Sequence, residues 1–205
     1  MPMATTRLTR EEKKAQTRQR LLEAARAVFA RRGFAASSLD EVAEEAGLTK
    51  GAVYSNFANK EDLVLAVLDD AFDRRMNTVM NQVDLHASLE EQARLGGALY
   101  MAMSEEERWL ELLSTDFVTY AVRNPEFGAR LAARHRESLE SIADAITDAN
   151  RERGLTLPLP AEKLAMVMNA LGTGLSMEKL IDPDGVPDEL FGEVIALLWA
   201  NSTGP

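Results

Sequence analysis

Ser38, Thr49, Lys50, Gly51, Tyr54, Ser55, Asn56 and Lys60 lie close together in the chain and supply hydroxyl, ammonium and amide donors around a glycine. Hydroxyls and ammonium groups of this kind donate to phosphate oxygens, and a lysine can also donate to guanine O6 or N7. Gly51 would let the backbone approach such a partner closely. The chemistry suggested is recognition of a polyanion and of the base edges it carries.

These residues need elements to aim them, and the local sequence predicts two short helices. Ser38 reads as an N-cap with Glu41 three residues later, a capping box that satisfies helix N–H groups otherwise left unpaired. Leu39, Val42, Ala43 and Ala46 follow helical spacing, and Gly47 supplies the left-handed position that ends the helix. Thr49 caps the next helix, in which Leu48, Ala52, Val53 and Phe57 face a core while Thr49, Lys50, Gly51, Tyr54 and Ser55 project outward. Two helices joined so tightly form a helix-turn-helix, whose second helix can enter a DNA major groove. A preceding helix over 11–32 braces them with Leu21, Leu22, Ala25, Val28 and Phe29, and stops at Gly33 in a Schellman cap with Phe34 as its apolar residue.

The run from Leu39 to Phe57, followed by Asn59-Lys-Glu-Asp-Leu63 and preceded by Arg20 to Phe34, resembles the N-terminal domain of the TetR family of bacterial transcriptional regulators. The resemblance covers about fifty residues. It implies that Ser38, Thr49, Tyr54 and Lys60 contact phosphates and that Lys50 and Gly51 approach bases. Ser55 and Asn56 occupy positions that hold aromatic or histidine residues in many relatives. It also implies an Ω-shaped or V-shaped homodimer bound to a palindromic double-stranded operator and released by a small lipophilic effector, with repression as the default. An activator or a corepressor-dependent regulator fits the same scaffold. A helical protein-interaction module that never touches DNA is the other reading, since this motif also occurs in such folds.

The net charge of −10 looks adverse for a DNA reader until the chain is divided. Residues 1–60 hold 11 Lys or Arg against 7 Asp or Glu, and residues 61–205 hold 12 against 26. The positive footprint is therefore N-terminal, and the acidic remainder discourages nonspecific adhesion to nucleic acid. Arg7, Arg10, Lys13, Lys14, Arg18 and Arg20 form a basic leading segment that either reaches DNA as a flexible arm or is a solvated tail. The absence of cysteine excludes disulfides, thiolate metal sites and cysteine nucleophiles. No apolar run approaches a membrane span and the first ten residues lack a signal-like core, so a cytoplasmic protein is expected.

The expected class is all-α, with a three-helix DNA-binding domain over 1–60 and a helical ligand-binding and dimerisation domain over 61–205. A fourth helix opens near Asn59 and runs past Met80, carrying Leu63, Val64, Val67, Leu68, Ala71, Phe72, Met76, Val79 and Val83 on an apolar stripe. Ser88-Leu-Glu-Glu91, Ser104-Glu-Glu-Glu107 and Asn124-Pro125 read as later helix starts, and Gly154 to Pro160 as a loop. The final segments, 160–181 and 187–201, are apolar on more than one face. They predict a twofold homodimer built on these last two helices, with Gly172 and Gly174 allowing close approach.

Trp109, Leu113, Asp116 and Tyr120 share one helix face beside Phe117. With Tyr100, Met101 and Met103 before them and Met166, Asn169 and Thr173 after, they could line an apolar pocket, and a carboxylate among aromatics would favour a lipophilic cation. The alternative is that these residues are ordinary core. No cofactor or metal is expected. His86 and His135 lie in no catalytic pattern, neither is preceded by the Glu of a di-metal bundle, and no phosphate-binding glycine loop follows a strand signal, so an enzyme is not expected.

Overall fold

A computed structural model describes residues 9–84, 86–106, 108–154 and 156–200; the side chains of 103–106 lie outside that description, as do Arg7 and its neighbours at the start. Every regular element among the described residues is an α-helix. These are α1 (Arg10–Ala36), α2 (Leu39–Glu45), α3 (Lys50–Tyr54), α4 (Lys60–Gln82), α5 (Leu89–Glu106), α6 (Arg108–Arg123), α7 (Pro125–Arg153), α8 (Ala161–Ile181) and α9 (Glu189–Ala200). They form two compact units, one holding Met1–Ala71 with Leu112–Phe117, the other Phe72–Glu111 with Val118–Pro205.

In the first unit, Thr9 and Glu12 form a capping box that starts α1, and Leu21, Leu22, Ala25, Val28 and Phe29 are buried along it, as their spacing predicts. Leu63, Val64, Val67 and Ala71 of α4 are also buried, together with Val42, Val53 and Phe57 of the helix-turn-helix. Withdrawing each such side chain from water contributes about 1.5–3 kcal/mol. An Arg26–Asp70 ion pair ties α1 to α4. Leu113 and Phe117 complete this interior, and Phe117 meets Phe34 edge to face with ring centroids 5.2 Å apart.

Three expectations are corrected here. The path of α1 breaks at Gly33, but with φ 68° and ψ 178° this is not the left-handed shape of a Schellman cap, and a further turn runs to Ala36. On α4, Phe72 lies on the predicted stripe yet is exposed, whereas Arg75, which the apolar pattern passes over, is buried. Arg75 can be buried because Glu111 accepts from its guanidinium at 3.3 and 3.4 Å and the Tyr100 ring lies 4.9 Å beneath it. Finally, α5 continues through Ser104 to Glu106, so Ser104 does not start a helix, and Glu107 lies outside the described residues.

In the second unit, α5 and α9 approach until their backbones touch. A Cβ on Gly97 would lie 2.3 Å from the Gly192 Cα, and one on Gly192 would lie 2.6 Å from the Arg94 carbonyl oxygen. Met101, Phe191 and Ile195 form the core around this crossing, with Tyr100, Leu171 and Leu175 packed on it. Ala143, Ile146, Ala161, Leu164 and Ala165 close α7 on α8. Gly154 ends α7 in the left-handed conformation. Asn124 and Pro125 begin α7 as expected, with Asn124 at the N-cap but without a side-chain cap bond; its amide donates instead to the Tyr120 carbonyl at 2.7 Å. Gly172 faces Tyr100 and Phe191 within its own unit, while Gly174 faces open space, so of the two only Gly174 remains available for a neighbouring helix.

Gly192→Ala should therefore destabilise the protein by about 1–3 kcal/mol through forced overlap with α5, despite alanine's better helix propensity; chemical denaturation would measure this. A second outcome concerns pH. The Ser88 backbone and hydroxyl hold the Glu91 carboxyl below its usual range, the hydroxyl being the larger influence. A depressed folded pKa stabilises above the unfolded value and is lost as pH falls through the folded one, so the α5 start should loosen on acidification below about pH 4. Ser88→Ala should raise the Glu91 pKa in an NMR titration and flatten that acid limb.

Candidate nucleic-acid interface

Ser38 accepts from the Glu41 N–H at 3.2 Å while Glu41 accepts from the Ser38 N–H at 2.9 Å, the reciprocal capping box that starts α2. Gly47, at φ 62°, ends it: the Gly47 N–H donates to the Glu44 carbonyl at 3.0 Å and the Leu48 N–H to the Ala43 carbonyl at 2.9 Å. This pair of bonds is a Schellman motif, which requires the left-handed residue that glycine supplies without strain. Thr49 then caps α3 by accepting from the Ala52 N–H at 3.2 Å. Val53 is fully buried, and Thr49, Lys50, Gly51, Tyr54 and Ser55 are exposed. The helix-turn-helix thus presents one polar face held by an apolar one.

Hydrogen bonds sort the predicted donors into two groups. Tyr54 is 56% exposed, and Thr49, whose oxygen caps α3, is exposed as well, with a hydroxyl that can also act as a donor. Lys50 also lies outward, its ammonium donating to Asp40 on α2 at 2.6 Å; that hydrogen bond, and then the Asp40 charge, raise its pKa above the ordinary lysine value. Ser38 donates to Glu41 at 3.1 Å, Ser55 to the Ala52 carbonyl at 3.0 Å, and the half-buried Asn56 amide to the same carbonyl at 2.8 Å. Those three donors are turned back on their own helices.

Lys60 has a task the sequence did not suggest. Its ammonium donates to the carbonyls of Phe34 at 2.8 Å, Ser37 at 2.9 Å and Ala35 at 3.4 Å, and sits 4.4 Å from the Phe34 ring centroid. Burial lowers its pKa from the ordinary lysine value, opposed by the charges of Glu61 and Glu41. The first residue of α4 therefore closes the frayed end of α1 just beyond Gly33. Arg20 plays a similar part, donating to the Ala46 carbonyl at 2.8 Å, and Arg18 lies 4.6 Å over the Phe57 ring. Two cations of the basic leading segment are thus engaged inside the helical domain.

Of the residues predicted to line a ligand pocket, some belong to each unit. Leu113, Asp116 and Phe117 belong to the first unit; Leu113 and Phe117 are buried there, and the exposed Asp116 carboxylate lies against Gly33. In the second unit Tyr100 packs on Phe191 at 5.3 Å and Tyr120 on Phe127 at 5.4 Å. Trp109 and Asn169 are half-buried, Met166 and Thr173 are exposed on α8, and the Met103 side chain lies outside the described residues. The charged pair that is buried, Arg75 with Glu111 beneath Tyr100, was invisible to helical periodicity because an arginine interrupts the stripe it occupies. Burial pushes the Tyr100 hydroxyl pKa up.

Lys60→Met should lower both folding stability, by about 1–3 kcal/mol, and DNA affinity, whereas Tyr54→Phe should leave the melting temperature unchanged and lower affinity alone. Thermal unfolding beside fluorescence anisotropy on a duplex separates the two.

Comparison with known proteins accords with this geometry. Residues 21–67 match the bacterial regulatory proteins of the tetR family, and residues 90–197 match the C-terminal domain of BetI-type transcriptional repressors. The HTH-type transcriptional regulator TtgR of Pseudomonas putida is 28% identical over 92% of this chain and 90% of its own length. The probable HTH-type transcriptional regulator ArpR, also of Pseudomonas putida, is 30% identical over the same shares. The structure of SmeT, the repressor of the Stenotrophomonas maltophilia multidrug efflux pump SmeDEF, superimposes with a TM-score of 0.62 at 21% identity, covering 93% of this chain and 92% of SmeT. With an N-terminal helix-turn-helix and both halves matched, this chain belongs to the TetR family of bacterial transcriptional regulators, DNA-binding proteins and not enzymes.

Proposed function

We propose that this regulator is a repressor that binds a palindromic operator as a homodimer and leaves it when a small lipophilic effector is bound. The observation that carries the DNA half is the outer face of the helix-turn-helix, where Thr49, Lys50, Gly51 and Tyr54 stand exposed on a motif fixed from below by Val53 and Phe57. Lys50 and Gly51 would face base edges, while Thr49 and Tyr54 hold phosphates. Ser38, Ser55 and Asn56 would join only by giving up bonds within their helices. Lys60 supports the docking by fixing the start of α4 to the end of α1.

Repression is favoured by the BetI-type repressor match over 90–197 and by the resemblance to SmeT. Dimerisation through α8 and α9 is supported by the apolar side chains these helices leave in water: Met166, Val167, Ile181 and Leu197, beside the open face at Gly174. Such a set on adjoining helices is what a second copy would cover. The second unit would serve as the effector domain, and α4 and α6 each contribute residues to both units. A site in the cytoplasm follows from the DNA-binding role, and no helix among the described residues is long and apolar enough to cross a membrane.

Selection of bound fragments from random DNA tests the reading. The expected result is an enriched inverted repeat whose affinity falls steeply with salt, as neutralising several phosphates requires. Absence of any enriched sequence from a folded protein would displace the reading in favour of a protein-interaction module. Leu197→Glu should convert the protein to a monomer by analytical ultracentrifugation and reduce binding to the full repeat at least tenfold while each half-site contact survives.

A further inference from the structure

Asp40 lies in the first turn of α2, outside the predicted set of DNA-facing residues, and its carboxylate accepts from the ammonium of Lys50, the first residue of α3, at 2.6 Å. The side chains are 49% and 68% exposed, so packing does not force them together. Two other acids of α2 are engaged elsewhere: Glu41 takes the Ser38 cap and an ion pair with Arg32, and Glu45 pairs with Arg31 at 2.6 Å. Asp40 is the α2 carboxylate that reaches the recognition helix.

A lysine on a recognition helix has a flexible four-carbon stem, and a bare ammonium pairs as readily with any phosphate as with a base. The pair with Asp40 changes both properties. It fixes where the ammonium sits relative to α2 and α3, and it uses one of three N–H donors, leaving two. Two donors are what guanine O6 and N7 can accept. It also cancels the charge that would otherwise be drawn to the nearest phosphate on DNA of any sequence. We propose that Asp40 is a positioning residue for DNA specificity: it stays paired with Lys50 on the operator, aims the ammonium at a base edge, and withholds it from phosphates on nonspecific DNA.

This inference rests on the reading of α3 as the DNA-reading helix. Three proteins separate the two claims: wild type, Asp40→Asn, and Asp40→Asn combined with Lys50→Gln. Each is titrated against the duplex enriched by selection and against a random-sequence duplex of equal length, over a range of salt. Asp40→Asn should bind the random duplex more tightly, with a log-affinity against log-salt slope steeper by about one, because the freed lysine now neutralises a phosphate. The ratio of operator to random affinity should fall about three- to tenfold. Asp40→Glu, which keeps the charge, should keep the shallower slope. Adding Lys50→Gln should abolish the increment in slope. If Asp40→Asn tightens both duplexes equally, or does so even without Lys50, Asp40 merely repels phosphates and the proposal is overturned. If wild type prefers no sequence, the DNA-reader reading itself fails.

Discussion

The ammonium of Lys60, set against the carbonyls of Phe34, Ala35 and Ser37, is the contact on which the DNA-binding unit depends. The break at Gly33 leaves the end of α1 with carbonyls that α-helical bonding does not use, and a helix end without partners is costly when partly buried. Lys60 adds donors to those that Ser37 gives the Phe34 carbonyl and brings the start of α4 with it. The same ammonium lies over Phe34, whose ring meets Phe117 edge to face. A single cation therefore sets the end of α1, the start of α4 and the seat of the α6 segment. Because only Ser55 to Asn59 separate α3 from α4, the recognition helix is anchored through the same point.

The charges around it are arranged by the same economy. A net excess of cations in residues 1–60 is useful to a DNA reader only if enough of them remain outward, yet Arg18, Arg20 and Arg26 are drawn to Phe57, the Ala46 carbonyl and Asp70. The acids of α2 in turn bind Arg31, Arg32 and Lys50. What faces outward is less a generally positive surface than a few donors whose directions are fixed. Exposed pairs of this kind contribute little to stability, so their effect is chiefly geometric.

Much of this was legible in the sequence because it rests on local chemistry. Ser38 with Glu41, Gly47, and Thr49 each satisfy or release a backbone group within four residues, and such bonds can be read from spacing alone. The apolar stripes of α1 and α2 were legible for the same reason. The placement of Lys60, Arg75 and Asp116 was not. Lys60 finds carbonyls more than twenty positions earlier, Arg75 finds Glu111, and Asp116 turns to Gly33, and nothing local in the sequence specifies these meetings. Periodicity assigned Phe72 to the core and ignored Arg75 because it scores polarity and cannot anticipate a partner.

Arg75 and Glu111 carry a different lesson about the second unit. A buried ion pair gains little over an apolar replacement, since desolvation offsets attraction, but losing one partner leaves a buried charge at a cost of several kcal/mol. The pair is thus more a constraint than a source of stability: with Tyr100 beneath it, it ties α4 to α6 and α5 in one arrangement. On α4 the buried arginine of the second unit and the carbonyl-bound lysine of the first are parts of one continuous helix. An effector can alter DNA binding only by favouring one arrangement of such helices over another, by an amount equal to its difference in affinity for the two. A core closed by such a pair resists gradual deformation, because separating its partners strands a buried charge.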